Sequence, residues 1–198
     1  MPLDIILIGP MGAGKSTQGE LLSRKLGLPQ CSMDRLRWDY YKEIGFDEDV
    51  QKRIGEAEGF AGVYRYWKPF EAHAVERLLS EHTDCVIDFG AGHSVYEDDA
   101  LFERVRRVLA PYDNVVLLLP SPDPDESVRL LKARSGEDKA DGGGAATGEN
   151  QFDFTAHFVK HPSNHKLAKM VVYTRGKSPE ETRDEILSRV KREPGRET

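Results

Sequence analysis

The sequence predicts an α/β fold, a three-layer sandwich in which a five-stranded parallel sheet lies between helices. Apolar segments of strand length alternate with segments whose apolar residues recur at helical spacing, which is the pattern of successive β-α-β units. The segment Asn114–Leu119 carries an uninterrupted apolar run, as is typical of a parallel strand that is buried on both faces. A glycine-rich turn joins the first strand to the first helix. We expect the crossovers between these strands to be right-handed.

The individual elements follow from the same pattern, in chain order. The predicted strands are Leu3–Ile8, Leu28–Met33, Asp84–Asp88, Asn114–Leu119 and Met170–Thr174. The predicted helices are Gly14–Leu26, Glu71–Ser80, Glu97–Ala110, a helix that begins at Asp123, and a last helix from Ser178 to about Val190. Gly27 and Pro29 follow the first helix as a stop signal, whereas Asp123-Pro124 and Ser178-Pro179 begin capping sequences at helix N-termini.

Two longer segments break the alternation. The segment 32–70 is dense in aromatic residues and predicts short helices and loops that cover a second substrate, although the same rings could form the core of a small helical subdomain. The region 135–160 begins with a polar, glycine-rich run and predicts a mobile lid. The polar tail 191–198 is expected to fray. We therefore expect one domain that spans residues 1–198.

Size and composition restrict the class of protein. A chain of 198 residues with 38% hydrophobic and 31% charged residues can bury one substantial core. The net charge of −6 gives no support for binding to nucleic acid, and no segment approaches the roughly 20 apolar residues that span a bilayer. The N-terminus lacks the features of a signal peptide, and Cys31 and Cys85 are too few for a disulfide framework. These features favour a cytoplasmic monomer or weak dimer that acts on a small molecule.

The turn after the first strand carries a phosphate-binding motif. Gly9-Pro10-Met11-Gly12-Ala13-Gly14-Lys15-Ser16 matches G-x-x-x-x-G-K-[ST] between a strand and a helix, the context that this P-loop motif requires. Its glycines allow backbone N–H groups to converge on phosphate oxygens, while Lys15 reaches the β- and γ-phosphates of ATP and the Ser16 hydroxyl binds Mg²⁺. The predicted nucleotide contacts are Gly9, Met11, Gly12, Ala13, Gly14, Lys15, Ser16 and Thr17, and Lys15 is also predicted to be catalytic.

Two acidic residues stand where predicted strands end, at the edge of the sheet that the P-loop occupies. Asp88 follows an apolar run, as a Walker B acid does, and is predicted to bind Mg²⁺ with Ser16. Asp34 is predicted to accept the proton of a substrate hydroxyl. Capping of a helix or a position in a solvated loop is the alternative for each acid.

Three histidines near the C-terminus are spaced by four residues: His157, His161 and His165. This spacing could align ligands on one helix face, but Pro162 disfavours helical geometry at His161. We therefore predict no metal site at these histidines.

Several motifs together resemble those of the shikimate kinase family of P-loop small-molecule kinases. Ser16-Thr17 and Gly19 match the end of that family's P-loop, and Ser32-Met33-Asp34 matches its Asp-x-Asp motif at the second acid. The remaining matches are Trp67-Lys68-Pro69-Phe70-Glu71 for Phe-Arg-x-x-Glu, Gly90-Ala91-Gly92 for the Gly-Gly-Gly substrate loop, and Lys160-His161-Pro162-Ser163-Asn164 for Arg-x-Pro-x-Tyr. Arg134 is similar in place to an arginine on the adenine side.

The resemblance implies a Mg²⁺- and ATP-dependent kinase that phosphorylates a hydroxyl of a small metabolite. The substrate contacts that we predict with it are Asp34, Arg65, Lys68, Gly90, Ala91, Gly92 and Lys160, and Arg134 is predicted to contact the nucleotide. Lysine replaces arginine at positions 68 and 160, and the two side chains are not interchangeable, so we expect an anionic acceptor without specifying shikimate. Gluconate kinases, nucleoside or nucleotide kinases and a non-catalytic ATP-binding module remain alternatives.

Overall fold

The computed structural model describes residues 3–136 and 152–191, and these residues form a parallel sheet covered by helices on both faces. The strands are β1 (Ile5–Ile8), β2 (Gln30–Ser32), β3 (Val86–Asp88), β4 (Val115–Leu119) and β5 (Met170–Tyr173). The helices are α1 (Lys15–Leu26), α2 (Met33–Glu43), α3 (Glu48–Glu81), α4 (Asp99–Leu109), α5 (Pro124–Ser135), α6 (Phe154–Lys160), α7 (Pro162–Leu167) and α8 (Pro179–Arg189). A 3₁₀ helix, Ala91–Ser94, follows β3.

The sheet has the strand order β2-β3-β1-β4-β5 with every pair parallel, which confirms the predicted five-stranded α/β fold. Alternate residues of β1 point to opposite faces, as the two-residue period of a strand requires. Ile6 and Ile8 pack into a core with α2, α3 and α4, whereas Ile5 and Leu7 pack into a second core with α1 and α8. All four side chains of β1 are fully buried, so β1 lies at the centre of three layers.

The segment 32–70 differs from its prediction. It forms α2 and the first part of α3, and the helix predicted at Glu71–Ser80 is the continuation of α3 rather than a separate element. Gly59 interrupts the 34-residue α3 with φ 65° and ψ −164°, a conformation that is open to glycine because it has no Cβ. The sequence around Gly59 carries no feature that distinguishes this kink from the helical pattern on either side.

The other predicted boundaries differ from those in the structure by at most two residues. The residues 137–151, which hold most of the predicted lid, lie outside the described part of the chain, as do the tail residues after 191. Within the region predicted as a lid, Phe154–Lys160 forms the helix α6. None of the helices in the described ranges combines the length and the apolar character that crossing a membrane requires.

Candidate active site

The phosphate-binding end of the site is made by the backbone of the P-loop. Gly9, Gly12 and Gly14 have φ values of 133°, 76° and 96°, which side chains with a Cβ rarely adopt. A Cβ on Gly9 would lie 2.5 Å from the carbonyl oxygen of Leu118, so this position also needs glycine for close packing against β4. Gly14 begins α1 without a side-chain cap, and the first turn holds no acidic residue. The N–H donors and positive dipole end of α1 are therefore available to an anion.

Lys15 lies folded over the same loop. Its Nζ atom donates to the carbonyl oxygens of Gly9 at 2.9 Å and Pro10 at 2.8 Å, and the residue is 8% exposed. Burial lowers the pKa of Lys15 to about 8, against the opposing effect of the Asp34 and Asp88 carboxylates. A phosphate group bound in the loop would place a negative charge beside this buried ammonium and offset the cost of its burial.

Asp88 collects three hydrogen bonds beside the P-loop. Its Oδ1 atom accepts from the hydroxyls of Ser16 and Ser32, each at 3.1 Å, and its Oδ2 accepts from Gln30 Nε2 at 2.7 Å. A Cβ on Gly19 would lie 2.5 Å from Gln30 Nε2, so glycine in α1 makes room for this amide. Hydroxyl and carboxylate oxygens are the ligand types that Mg²⁺ prefers, and the donor set at Ser16 and Asp88 fits this ion.

Gln30 and Ser32 were missed by sequence reasoning. Ser32 pairs directly with Asp88 across β2 and β3, and it stands where the resembling family carries its first acid. The signal that could have found it is this register, because residues opposite each other on neighbouring strand ends share one edge of the sheet. Gln30 lies two residues earlier, so its side chain points to the same face of β2.

A pocket of about 550 Å³ opens beside the P-loop and brings together much of the predicted site. The predicted residues that line it are Met11, Gly12, Gly14, Lys15, Ser16, Thr17, Asp34, Gly90, Ala91 and Gly92. The residues that line it but were not predicted are Arg37, Phe60, Tyr64, Trp67, Glu71, His93 and Phe158. The acceptor side of the pocket is therefore formed mainly by α2, α3 and the 3₁₀ helix, with Phe158 from α6.

Asp34 lies in the first turn of α2, immediately after β2, and its carboxylate faces the pocket. The side chain is 57% exposed, and Oδ1 lies 3.5 Å from Arg37 Nη1. A Cβ on Gly90 would stand 2.7 Å from Asp34 Oδ1, so the glycine loop leaves space for this carboxylate. An exposed carboxylate on the rim of a phosphate-binding pocket can accept a proton from a hydroxyl group.

Arg37 is the basic residue of the acceptor side that sequence reasoning missed. Its guanidinium carbon lies 4.5 Å from the ring centre of Trp38 and 5.5 Å from that of Trp67, and its side chain is 23% exposed. Within residues 3–136 and 152–191, its buried Nε atom has no hydrogen-bond partner. The signal was the i, i+3 spacing from Asp34, which places both side chains on one face of α2.

The floor of the pocket holds an uncharged histidine. His93 is fully buried in the 3₁₀ helix, and its Nε2 atom lies 3.2 Å from the hydroxyl of Tyr41. Burial lowers the pKa of His93, and the positive charges of Arg37 and Lys68 lower it further. A neutral imidazole can donate or accept one hydrogen bond without adding charge to the pocket.

The structure does not bring Lys68 to the pocket as an anion-binding group. Its Nζ atom donates to the carbonyl oxygens of Gly92 at 2.9 Å and Val95 at 3.0 Å, and it forms an ion pair with Glu71. Its ammonium also lies 4.0 Å from the ring centre of Tyr64. Lys68 is 6% exposed, so its charge is neutralised inside the protein rather than offered to a substrate.

Arg65 and Lys160 also lie away from the pocket, and their predicted substrate contacts are not supported. Arg65 is 64% exposed and pairs with Glu58 at 2.5 Å, while Lys160 is 51% exposed and pairs with Asp125 at 2.6 Å. Neither lines the pocket. The physical reason is where each side chain lies on its helix. Arg65 is on the solvent-exposed side of α3, and Lys160 is at the end of α6, where it pairs with a residue of α5.

The remaining predicted positions fall into two groups. Arg134 on α5 donates from Nη1 to the carbonyl oxygen of Gly12 at 3.3 Å, so it lies beside the P-loop as a nucleotide contact would. Pro162 does end the helix at His161, which is extended as predicted. His157 and His161 nevertheless lie next to each other, in a cluster with Glu97 that the prediction of no metal site did not anticipate.

Comparison with known proteins identifies the family. The family model of shikimate kinase matches residues 11–191. The shikimate kinase of Streptomyces coelicolor is 31% identical over 193 residues, which cover 94% of each chain. This chain belongs to the shikimate kinase family. It is therefore an ATP-dependent kinase that transfers a phosphoryl group to a hydroxyl of a small molecule.

Two further relatives show how wide the similarity is. The structure of shikimate kinase from Acinetobacter baumannii in complex with shikimate has a TM-score of 0.61 at 23% identity, covering 95% of this chain and 92% of that one. At this identity the likeness shows the shared fold. The adenylate kinase of Brucella ovis is 29% identical over 179 residues, covering 87% of this chain and 85% of that enzyme. The similarity thus extends to kinases that act on nucleotides.

Proposed function

We propose that the acceptor is a small hydroxylated metabolite with one anionic group, and that Arg37 binds this group. The observation that carries the proposal is the buried Nε of Arg37, which has no partner among the described residues although the side chain lines the pocket. A guanidinium can hold a carboxylate or phosphate through two parallel hydrogen bonds. The contact of Arg37 with the Trp38 ring, at 4.5 Å from the ring centre, holds the guanidinium near the pocket before the ligand arrives.

The catalytic roles follow from the same geometry. Asp34 accepts the proton of the acceptor hydroxyl, because its carboxylate lines the same pocket as the P-loop and lies 3.5 Å from Arg37. Lys15 and the amides of the P-loop hold the β- and γ-phosphates, and Arg134 contacts the nucleotide beside Gly12. Ser16 and Asp88 would hold Mg²⁺, which when bound neutralises charge on the transferring phosphate.

Shikimate is the first acceptor to test, since relatives carry its name and it bears a carboxylate. The lysines at positions 68 and 160, where the family has arginines, are engaged with Glu71 and Asp125. Among the described residues that line the pocket, the arginine that an acceptor would meet is Arg37, in place of the family's set. The expectation of an anionic hydroxy acid therefore rests on Arg37, and shikimate is one member of that class.

The experiment measures single-turnover consumption of ATP across pairs of hydroxy acids and their neutral amides or polyols. We expect turnover with an acid and little with its neutral partner. Arg37→Met should raise the acceptor KM roughly 30-fold or more while the ATP KM stays unchanged, and Arg37→Lys should restore part of the affinity. Lys160→Met is the matched control and should leave both constants unchanged. Equal turnover of neutral and anionic partners, or an Arg37→Met variant with the wild-type acceptor KM, would overturn the proposal.

A nucleoside or nucleotide acceptor is the second candidate. Phe60, Tyr64, Trp67 and Phe158 line the pocket, and aromatic faces of this kind can stack on a base. Thermal-shift measurements with nucleosides on one side and hydroxy acids on the other separate the two candidates. Stabilisation by nucleosides alone would favour the base-stacking alternative.

We also propose that the enzyme works in the cytoplasm. Cys31 and Cys85 are both buried and free, which agrees with a reducing compartment, and ATP is available there. Localisation of a fluorescent fusion in the source cells tests this directly.

A further inference from the structure

A cluster of three potential metal ligands lies on the outer side of the acceptor pocket wall. Glu97 precedes α4, His157 lies in α6, and His161 stands at the end of α6. Each offers one ligand atom, and these atoms lie within 4.8 Å of one another. None of the three residues takes part in the proposed phosphoryl transfer.

The fold brings the two histidines together despite Pro162. The N–H of His161 donates to the carbonyl oxygen of His157 at 2.9 Å, which completes the last turn of α6 even though His161 itself is extended. The two ring centres are 5.1 Å apart. The sequence spacing of four residues is therefore preserved as a spatial pair, while the exposed His165 lies in α7 outside the cluster.

Glu97 supplies a carboxylate that neighbouring side chains orient. Its Oε1 atom accepts from the Tyr64 hydroxyl at 2.9 Å and lies 2.6 Å from His157 Nε2. A partner that orients a metal ligand in this way is a regular feature of metal sites.

His161 is half-buried at the end of α6. Its Nδ1 atom accepts from the backbone N–H of Ser163 at 3.3 Å, which is a long hydrogen bond. A neutral imidazole has one lone pair, so metal binding would exchange this weak contact for a metal bond.

We propose that Glu97, His157 and His161 form a binding site for a transition-metal dication, with Zn²⁺ as the best fit. Two imidazoles and one carboxylate are a known three-ligand set for zinc, with the fourth position open to water. Bonds of about 2.1 Å to a tetrahedral ion would place the ligand atoms about 3.4 Å apart, so small side-chain rotations would close the cluster around the ion. Mg²⁺ prefers oxygen ligands and should not compete here.

An ion at this site would be linked to the wall of the acceptor pocket through two neighbouring side chains. Tyr64, which bonds to Glu97, and Phe158, which neighbours His157 in α6, both line the pocket. An ion that fastens α6 to the segment before α4 would therefore fix this side of the wall. This inference does not depend on the identity of the acceptor, because it rests on residues outside the phosphoryl-transfer site.

Zinc titration of the chelator-treated full chain, without nucleotide and with excess Mg²⁺, tests the proposal. Calorimetry should show one Zn²⁺ per chain for the wild type and for His165→Ala, the matched control with the same number of histidines as the test variant. His161→Ala should bind at least 10- to 100-fold more weakly, which is the loss that even orienting partners cause. Glu97→Gln should weaken binding similarly, and it provides a second variant if His161→Ala does not fold.

Thermal unfolding gives a readout that is independent of activity. Saturating Zn²⁺ should raise the Tm of the wild type and His165→Ala, but not that of His161→Ala, because an ion that binds only the folded state stabilises it. Visible absorption of the Co²⁺-substituted protein should report imidazole and carboxylate ligation in the wild type and in His165→Ala, but not in His161→Ala. The proposal fails if the wild type takes up no stoichiometric zinc, or if His161→Ala and His165→Ala bind zinc equally.

Discussion

The phosphate-binding end and the acceptor end of the pocket are built in different ways. At the phosphate end, backbone N–H groups of one short loop and the start of α1 form the site, and glycines hold the loop in left-handed conformations. At the acceptor end, side chains from α2, α3, the 3₁₀ helix and α6 meet across long stretches of sequence. The difference teaches that a sequence motif predicts a site made of backbone groups well. A charged side chain at a matching position can instead form an ion pair inside the protein and be unavailable to the substrate.

Lys15→Met should have the largest effect, because Lys15 is the side chain on which the backbone-built end depends. We expect no measurable phosphoryl transfer, since the variant loses the cation that balances the developing phosphate charge. The apo protein should remain folded and unfold at an equal or higher temperature, because a buried ammonium is removed. Lys25→Met, an exposed position of the same helix, is the control. A folded Lys15→Met enzyme with the wild-type rate would contradict the assignment.

Asp34→Asn tests the proposed catalytic base, which lies in the pocket between its phosphate-binding and acceptor ends. Loss of a positioned base typically lowers the rate by roughly 10²–10⁴-fold, and we expect the turnover number to fall within this range. ATP affinity should change little, because Asp34 lies on the acceptor side of the pocket. Asp39→Asn, exposed on the same helix, should have the wild-type turnover number. An unchanged turnover number for Asp34→Asn would remove this residue from the mechanism.

Lys68→Met tests whether Lys68 stabilises the fold through its ion pair with Glu71 rather than binding the acceptor. Breaking a buried ion pair by removing one partner costs about 3–5 kcal/mol, so chemical denaturation should show a loss of this order. The double variant Lys68→Met/Glu71→Leu should recover part of the loss, because no uncompensated carboxylate remains. If Lys68→Met instead keeps the wild-type stability and raises the acceptor KM alone, Lys68 binds substrate and the ion-pair interpretation is wrong.

The pH dependence of ATP binding is a smaller and more specific test of Lys15. In the free protein the pKa of Lys15 is lowered to about 8, and a bound phosphate would raise it again. ATP binding above about pH 8 must therefore take up a proton, so the association constant should fall by up to about tenfold per pH unit as the pH rises. Calorimetry in buffers of different ionisation enthalpy measures the uptake. In Lys15→Met this slope should disappear, and a wild-type slope of zero would contradict the lowered pKa.

The sequence predicted the sheet and the phosphate end because their determinants are local. Apolar segments located all five strands. The P-loop motif predicted the loop around Lys15, and the apolar run that precedes Asp88 predicted this acid at the same edge of the sheet. Arg37 could not be ranked above Lys68 from sequence, because the difference lies in long-range partners. The carbonyl oxygens of Gly92 and Val95 hold Lys68, whereas Nε of Arg37 has no hydrogen-bond partner in the described part of the chain.

The helix structure of 32–70 illustrates the same limit at the level of the backbone. Short helices were predicted there, yet α3 runs to Glu81 through a kink at Gly59. Glycine at this position has the same sequence signature whether it ends a helix or bends one. The packing of aromatic rings from α2 against α3, such as Trp38 on Trp67, is a tertiary effect that sequence periodicity does not contain.

The enclosed Lys68–Glu71 pair also constrains how this branch of the family can diverge. A change at either position alone leaves a buried charge without its partner, so intermediates with one substitution are expected to be selected against. A change from lysine to arginine is no simpler, because the larger planar group would have to fit between the rings of Tyr64 and Tyr96. The two positions should therefore change together among descendants. An arginine at position 68 would therefore require compensating substitutions around it, and the internal packing of α3 restricts which residues this position accepts.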